Sequence, residues 1–351
     1  MEHTPSTDSD FDTNSYQVDS ALEKPCPSTN CDWKFDLLCA PRPRARSRLN
    51  DSGFFQQDTN IIASNGAETD KSQSADCQEM IEDWTVMSSY TEEIFCYLYK
   101  LETKFLLPRD FLKHQEEVTY QSRAVLVDWL IQVHEFYNFP QDCLYLMISL
   151  LDRYMSLHYV PLAHFQLLGM SCLLVACKYE DRFVPSHQEL VNMADKAFTA
   201  DELNKMEKGL LETLNFDLSQ PLPSHFLRRI ARTAGIDAET YVLSKFLMEI
   251  TKLDLVLVTY KPSLVAASAF CLASGLVWEN GRLSLVPGSC YTLDQLMPCL
   301  VGIAKLIKFL TSLGCKGVIH KYCRLGIDNT IIDSLSVNPI IKDLLATNIA
   351  H

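Results

Sequence analysis

The sequence predicts an all-α fold made of two similar helical domains. Three observations carry that expectation. From about Glu79 onward apolar residues recur at spacings of three and four, and period-two alternation is scarce. Glycine makes up only 12 of 351 residues, roughly half the usual share, which disfavours many-turned β folds. The second half also echoes the first: Leu146, Leu150 and Asp152 recur as Leu243, Leu247 and Glu249, an offset of 97 residues (243 minus 146).

The chain opens on a different texture. Residues 1–79 hold 7 Lys/Arg against 14 Asp/Glu and are rich in Ser, Thr, Asn and Pro. Such a segment buries too little apolar surface to offset its ordering entropy, so a disordered acidic arm is expected there, with no signal peptide. Within it, Pro41 to Arg48 is a basic island, readable either as a targeting signal or as an ordinary solvated charged stretch.

Helical elements then follow in order. Ile94, Leu98, Leu101 and Phe105 form one stripe on a first helix that Pro108 ends. Val118 to Phe139 carries Leu126, Trp129, Leu130, Val133, Phe136 and Tyr137 at helical spacing. Leu144 to Tyr154 is a third helix, and Pro161 precedes a fourth that runs to about Tyr179. Pro185 interrupts the chain before Asp201 to Leu214, which opens with an acidic first turn. In the second half Pro221 and Pro223 precede a helix, Tyr241 to Leu253 forms the next, and Pro262 opens another that reaches Trp278. Small residues recur between the halves as Gly169/Ala266, Ser171/Ser268, Cys172/Ala269 and Ala176/Ala273. A helix so rich in small, uncharged side chains lets neighbours approach on several sides, so each half is expected to have one central helix.

Composition and motifs narrow the function. The formal net charge is −13, and residues 80–351 hold 24 Lys/Arg against 30 Asp/Glu, with only Arg228, Arg229 and Arg232 clustered. A duplex-binding surface wants a basic patch, so nucleic acid is a disfavoured partner. The 13 cysteines include no C-x-x-C pair, so a metal site is not expected and a reducing nucleus and cytoplasm are. Residues 154–177 lack charged side chains, yet Pro161, His158, His164 and Gln166 interrupt them, so no membrane span is expected. G-x-G-x-x-G, Walker A, H-E-x-x-H, G-x-S-x-G and kinase signatures are all absent. The pattern is that of a chain that binds rather than one that turns over substrate.

Ser122-Arg-Ala-Val-Leu-Val-Asp-Trp-Leu130 resembles the signature helix of the cyclin box, M-R-A-I-L-V-D-W-L. The likeness continues in order through Leu150-Leu-Asp-Arg-Tyr154, Gln166-Leu-Leu-Gly169, Ala176-Cys-Lys-Tyr-Glu180, Met206-Glu207 and Asn215-Phe-Asp-Leu218. Gln132 and Pro221-Leu-Pro-Ser-His-Phe-Leu-Arg-Arg229 are especially similar to B-type mitotic cyclins. The resemblance spans roughly residues 88–330. It implies two tandem five-helix cyclin boxes preceded by a short N-terminal helix: residues 80–217 for that helix and the first box, 218–335 for the second, and 336–351 as a C-terminal tail.

The resemblance also implies a non-catalytic regulatory subunit, without cofactor, that binds and activates a cyclin-dependent protein kinase at the G2/M transition. Kinase contacts then fall on Tyr90, Ile94, Lys178, Tyr179, Glu207 and Phe216. A shallow groove for Arg-x-Leu substrates or inhibitors falls on Ser122, Val125, Leu126, Trp129 and Gln166, with Ser122 standing where the family usually has Met. Arg123 and Asp152 match an internal ion pair of the first box. Arg46 to Leu49 offers an R-x-x-L core through which a ubiquitin ligase could engage the arm, although no Asn follows at the usual position. The rival reading is a nucleic-acid-binding transcription factor on the same duplicated fold.

Overall fold

The computed structural model describes residues 88–277, 282–310 and 316–347, all within one compact unit. The arm, its basic island and Arg46–Leu49 lie outside the described residues. Thirteen α-helices and short 3₁₀ turns make up the described structure, with no strand among the described residues. Helix α1 is Ser88–Leu101, followed by a 3₁₀ turn over Glu102–Phe105. The first box comprises α2 (Tyr120–Tyr137), α3 (Gln141–Leu157), α4 (Leu162–Glu180), α5 (His187–Met193) and α6 (Ala200–Thr213). The second comprises α7 (Pro223–Ala234), α8 (Ala238–Ile250), α9 (Pro262–Val277), α10 (Leu293–Phe309) and α11 (Gly317–Cys323). Two further helices, α12 (Asn329–Ser336) and α13 (Pro339–Thr347), pack on α10. The segment read as a tail thus includes a docked helix, because Ile340, Ile341 and Leu344 offer it a buried stripe.

Local chemistry fixes the ends of these elements. Thr119/Ser122, Ser186/Glu189, Thr199/Glu202 and Thr292/Gln295 are reciprocal capping boxes at the starts of α2, α5, α6 and α10. Asn138 ends α2 in the left-handed conformation at φ 54°, a role its short polar side chain tolerates.

The small-residue helices α4 and α9 are the cores of their boxes. Phe165 and every residue from Leu167 to Cys177 on α4 are buried, as are Ser263 and every residue from Val265 to Gly275 on α9. A Cβ on Gly169 would sit 3.1 Å from Leu130 and 3.2 Å from Leu126, so α2 lies almost on the α4 backbone there. Helix α4 is long and apolar enough to cross a membrane by length and composition. Its burial from Leu167 to Cys177 inside the first box accounts for that composition.

Helix α1 departs from the expected stripe. Ile94 is exposed, while Phe95 and Tyr99 face Phe226 of α7 at centroid distances of 5.9 and 5.2 Å. The Arg229 guanidinium stacks 4.3 Å from the Phe95 ring and reaches Glu92 at 2.9 Å. The residues between Ile94 and Phe105 present two candidate stripes, and the aromatic one wins because α7 of the second box supplies its partners. The Glu102 carboxylate completes this attachment, accepting from Ser263 N at 3.1 Å and Ser263 Oγ at 2.7 Å. It satisfies an unpaired N–H in the first turn of α9, and burial pushes its pKa up.

Candidate functional site: a partner-binding face and the seam behind it

Two of the residues expected to contact a kinase, Lys178 and Glu207, meet in the first box. Lys178 occupies the last turn of α4 and Glu207 the middle of α6, with Lys178 Nζ 2.5 Å from Glu207 Oε1. Lys178 is 44% exposed and Glu207 13%. His187 of α5 brings Nε2 to 3.9 Å from the other Glu207 oxygen. Tyr179, next to Lys178 in the chain, and Phe216, just past the end of α6, both have exposed rings, Phe216 at 67%. Asn215 and Phe216 both take left-handed backbone, at φ 51° and 57°, directly after α6. Two consecutive non-glycine residues in that region cost roughly 1–3 kcal/mol each, and here the turn holds the Phe216 ring in solvent.

The same turn is tied to the segment that continues α1. Asp217 pairs with Lys104 at 2.5 Å, and Arg153 NH1 donates to the Asp217 carbonyl at 2.9 Å. The Arg153 guanidinium also stacks 4.8 Å from the Phe105 ring. On α1 itself, Tyr90, Ile94 and Tyr97 all point to solvent. Tyr97 lies one turn beyond Ile94 and extends the exposed row; its i, i+3 spacing from Ile94 was the available sequence signal.

The residues matched to the substrate groove divide. Ser122, Val125 and Gln166 are half-buried, whereas Leu126 is fully buried and Trp129 is 3% exposed. Leu126 therefore serves the α2–α4 core contact rather than an open surface. Ser122 Oγ accepts from Thr119 N at 2.8 Å, and Thr119 Oγ1 accepts from Ser122 N at 3.2 Å. The serine that replaces the family's methionine thus strengthens the start of α2.

A polar seam runs between the boxes. Arg123 and Asp152 form a buried bidentate pair, Nε to Oδ1 and NH2 to Oδ2 both at 2.7 Å. Arg123 NH1 then donates to the Lys252 carbonyl at 2.9 Å, so the pair expected to serve the first box also grips the second. Asp128 of α2 accepts from Gly317 N at 2.8 Å and Lys316 N at 3.2 Å, capping α11. A Cβ on Gly317 would lie 2.6 Å from the Asp128 carbonyl oxygen, so only glycine permits this approach. Burial raises the Asp128 carboxyl to about 6, against the pull of those N–H donors. Asp142 of α3 accepts from Ser224 Oγ and, at 2.9 Å, from Arg228 NH2. Burial opposes its charge, but Arg228 and Ser224 prevail and lower its pKa.

Two of the three clustered arginines are already engaged within the chain. Arg228 is spent on Asp142 and Arg229 on Glu92 and Phe95. Sequence reasoning missed the Asp128, Asp142 and Glu102 contacts, whose partners lie 82 to 189 residues away. Among the described residues no group of three or more His, Cys, Asp or Glu side chains is placed to hold a metal ion.

Comparison with known proteins agrees with this architecture. Residues 93–219 match the family described as Cyclin, N-terminal domain, and residues 221–328 match Cyclin, C-terminal domain. The G2/mitotic-specific cyclin-B2 of Oryzias luzonensis is 41% identical over 222 residues, covering 62% of this chain and 56% of that protein. The G2/mitotic-specific cyclin-B of Hydra vulgaris is 36% identical over 239 residues, covering 68% and 66%. The chain thus spans little more than half the length of the Oryzias relative. A viral cyclin from herpesvirus saimiri aligns at 20% identity with a TM-score of 0.47, covering 70% of this chain and 99% of that one. With both cyclin domains matched in tandem over well over half its length, the chain belongs to the cyclin family, and its relatives include mitotic B-type members.

Proposed function

We propose that the chain is a non-catalytic regulatory subunit that binds and activates a cyclin-dependent protein kinase at the G2/M transition. The observation that carries this reading is the Lys178–Glu207 pair together with the exposed apolar side chains of α1 and the first box, in a chain whose relatives are mitotic cyclins. Tyr179 follows Lys178 in the chain, Phe216 follows α6, and Tyr90 and Ile94 add the outer side of α1, all exposed. Large exposed rings on a rigid bundle suit a partner that desolvates them.

The physical task is to bias a bistable enzyme. A kinase reaches its active state when its αC helix swings in, so that its Glu pairs the phosphate-binding Lys, and its activation loop leaves the substrate site. A rigid face that binds only the swung-in state shifts that equilibrium by its differential affinity. In the free chain Lys178 and Glu207 are a partly exposed pair of small worth to stability. When covered they become a desolvated unit, and removing one leaves the other buried and unpaired. On this reading the protein acts in the nucleus and cytoplasm, with Arg46–Leu49 as a destruction signal in the arm.

The test is to mix the purified chain with inactive mitotic kinase and assay phosphate transfer to a histone-type substrate. Activity should appear with the wild-type chain. Lys178→Ala and Glu207→Ala should each weaken kinase binding by about two to four powers of ten, the equivalent of roughly 3–5 kcal/mol. Their melting temperatures should stay near wild type, and the double variant should lose little more than either single one. Wild-type binding by both single variants would remove the site assignment, and no activation by the unaltered chain would remove the function.

A further inference from the structure

We propose that His187 is a third member of the Lys178–Glu207 site. It is a positioning residue whose ring donates to the second Glu207 oxygen once a partner covers the pair, and this role rests on the kinase-binding function proposed for the chain. His187 is the first residue of α5. The capping box fixes its place: Glu189 Oε2 accepts from Ser186 N at 2.7 Å, and Ser186 Oγ accepts from Glu189 N at 3.3 Å. Glu189, on the same turn, is therefore already engaged. The His187 side chain is 33% exposed, yet its Nε2 atom is buried and has no hydrogen-bond partner.

A buried ring nitrogen without a partner is costly and calls for a physical reason. That reason lies on α6, which packs against α5. Lys178 Nζ donates to Glu207 Oε1, whereas His187 Nε2 stands off Oε2 at 3.9 Å. The gap exceeds a hydrogen bond by about 1 Å. Glu207 keeps 13% of its side chain exposed, so solvent still serves the carboxylate in the free chain. When a partner displaces that solvent, a carboxylate with a donor on one oxygen only is left poorly satisfied. A small rotation of the His187 ring then supplies the second donor, and the bond is strengthened by the carboxylate charge. The bond forms only in the complex, so it contributes to partner affinity and not to the stability of the free chain. With Glu207 held from both sides, the remaining Lys178 ammonium hydrogens are free to meet acceptors of the partner.

The test compares binding of the inactive mitotic kinase by the full wild-type chain, His187→Gln and His187→Leu. Glutamine carries Nε2 three bonds from Cβ, as histidine does, so it keeps a donor in the same place, while leucine fills space without one. His187→Leu should weaken binding about ten- to a hundredfold, the scale of a hydrogen bond to a charged group. His187→Gln should stay within about threefold of wild type. All three chains should melt alike and, at saturation, drive the kinase to the same maximal activity. In a Glu207→Ala background, His187→Leu should cost nothing further. Wild-type binding by His187→Leu, or equal losses in the Gln and Leu variants, would overturn the proposal and leave the ring as packing. So would a loss in His187→Leu that tracks a lower melting temperature. No binding by the unaltered chain would instead remove the kinase-binding function, and this role of His187 with it.

Discussion

The two boxes solve one problem in two ways. Each carries a buried carboxylate at the same place on its second helix, Asp152 on α3 and Glu249 on α8, 97 residues apart (249 minus 152). In the first box the counter-charge comes from the opening helix: Arg123 holds both Asp152 oxygens and carries a third bond to the Lys252 carbonyl. In the second it comes from the closing helix: Lys321 Nζ lies 2.8 Å from each Glu249 oxygen, and Tyr322 OH donates to Oε2 at 2.9 Å. The duplicated fold keeps the acid and changes its partner. The first box has thereby turned an internal strut into a bolt between the boxes, whereas the second has spread the same load over two side chains.

That difference sets the order of expected effects. Arg123→Ala should be the most damaging change, because it strands a fully buried Asp152 and releases the Lys252 carbonyl. Its cost should be about 3–5 kcal/mol, read as a lower midpoint in urea unfolding. Lys321→Met should cost less, about 1.5–3 kcal/mol, because Tyr322 still donates to Glu249 and Lys321 sits at the rim, 12% exposed. Equal losses for the two variants would show that the inter-box bond of Arg123 contributes nothing.

A second comparison lies within the seam and is read by pH. Asp128 and Asp142 both leave the first box to bind the second, but only Asp142 meets a cation. The Asp128 carboxyl is raised from 3.8 to about 6 by burial. The folded state therefore holds its proton more tightly than the unfolded chain, and this stabilising contribution is complete below 3.8 and lost as pH rises toward 6. Asp142, lowered by Arg228 and Ser224 against the burial that opposes them, contributes stability that is present above 3.8 and lost as pH falls through its folded value. The stability difference between wild type and Asp128→Asn should thus shrink as pH rises through that window, while the difference for Asp142→Asn should grow from the acid side. Parallel profiles for the two variants would mean that the cation at Asp142 does not distinguish them.

How much of this was legible follows from the range of each contact. Helical spacing and the small-residue helices are local, and they gave the all-α fold and both central helices, α4 and α9. The Asp152/Glu249 correspondence was visible as an offset, yet Glu249 drew no attention because Lys321 and Tyr322 lie 72 and 73 residues further on. The α1 stripe was misassigned for the same reason: Ile94 and Phe95 are equally apolar neighbours, and only Phe226, more than a hundred positions away, decides between them. Of the residues the resemblance named for a kinase, the structure pairs Lys178 with Glu207 and leaves Tyr179 and Phe216 exposed. The groove fared differently, since burial of Leu126 and Trp129 depends on how closely Gly169 lets α2 approach.

The smallest effect separates the closing helices of the two boxes, each of which contains a glycine. Gly317 begins α11 against the backbone of α2, so Gly317→Ala must push the helices apart and should cost about 1–3 kcal/mol, as overpacking does. Gly209 lies within α6, and an added Cβ there meets nothing within 4 Å. Its backbone carries no positive φ, so glycine contributes only entropy to the unfolded chain and weakens the helix. Gly209→Ala should accordingly stabilise the protein by about 0.5–1 kcal/mol, a rise in Tm of roughly 1–4 °C, with kinase activation retained. The two alanines should therefore move Tm in opposite directions although both enter the fifth helix of a box. A fall in Tm for Gly209→Ala would show that α6 is packed more tightly than the open space around Gly209 indicates, and the contrast between the closing helices would fail with it.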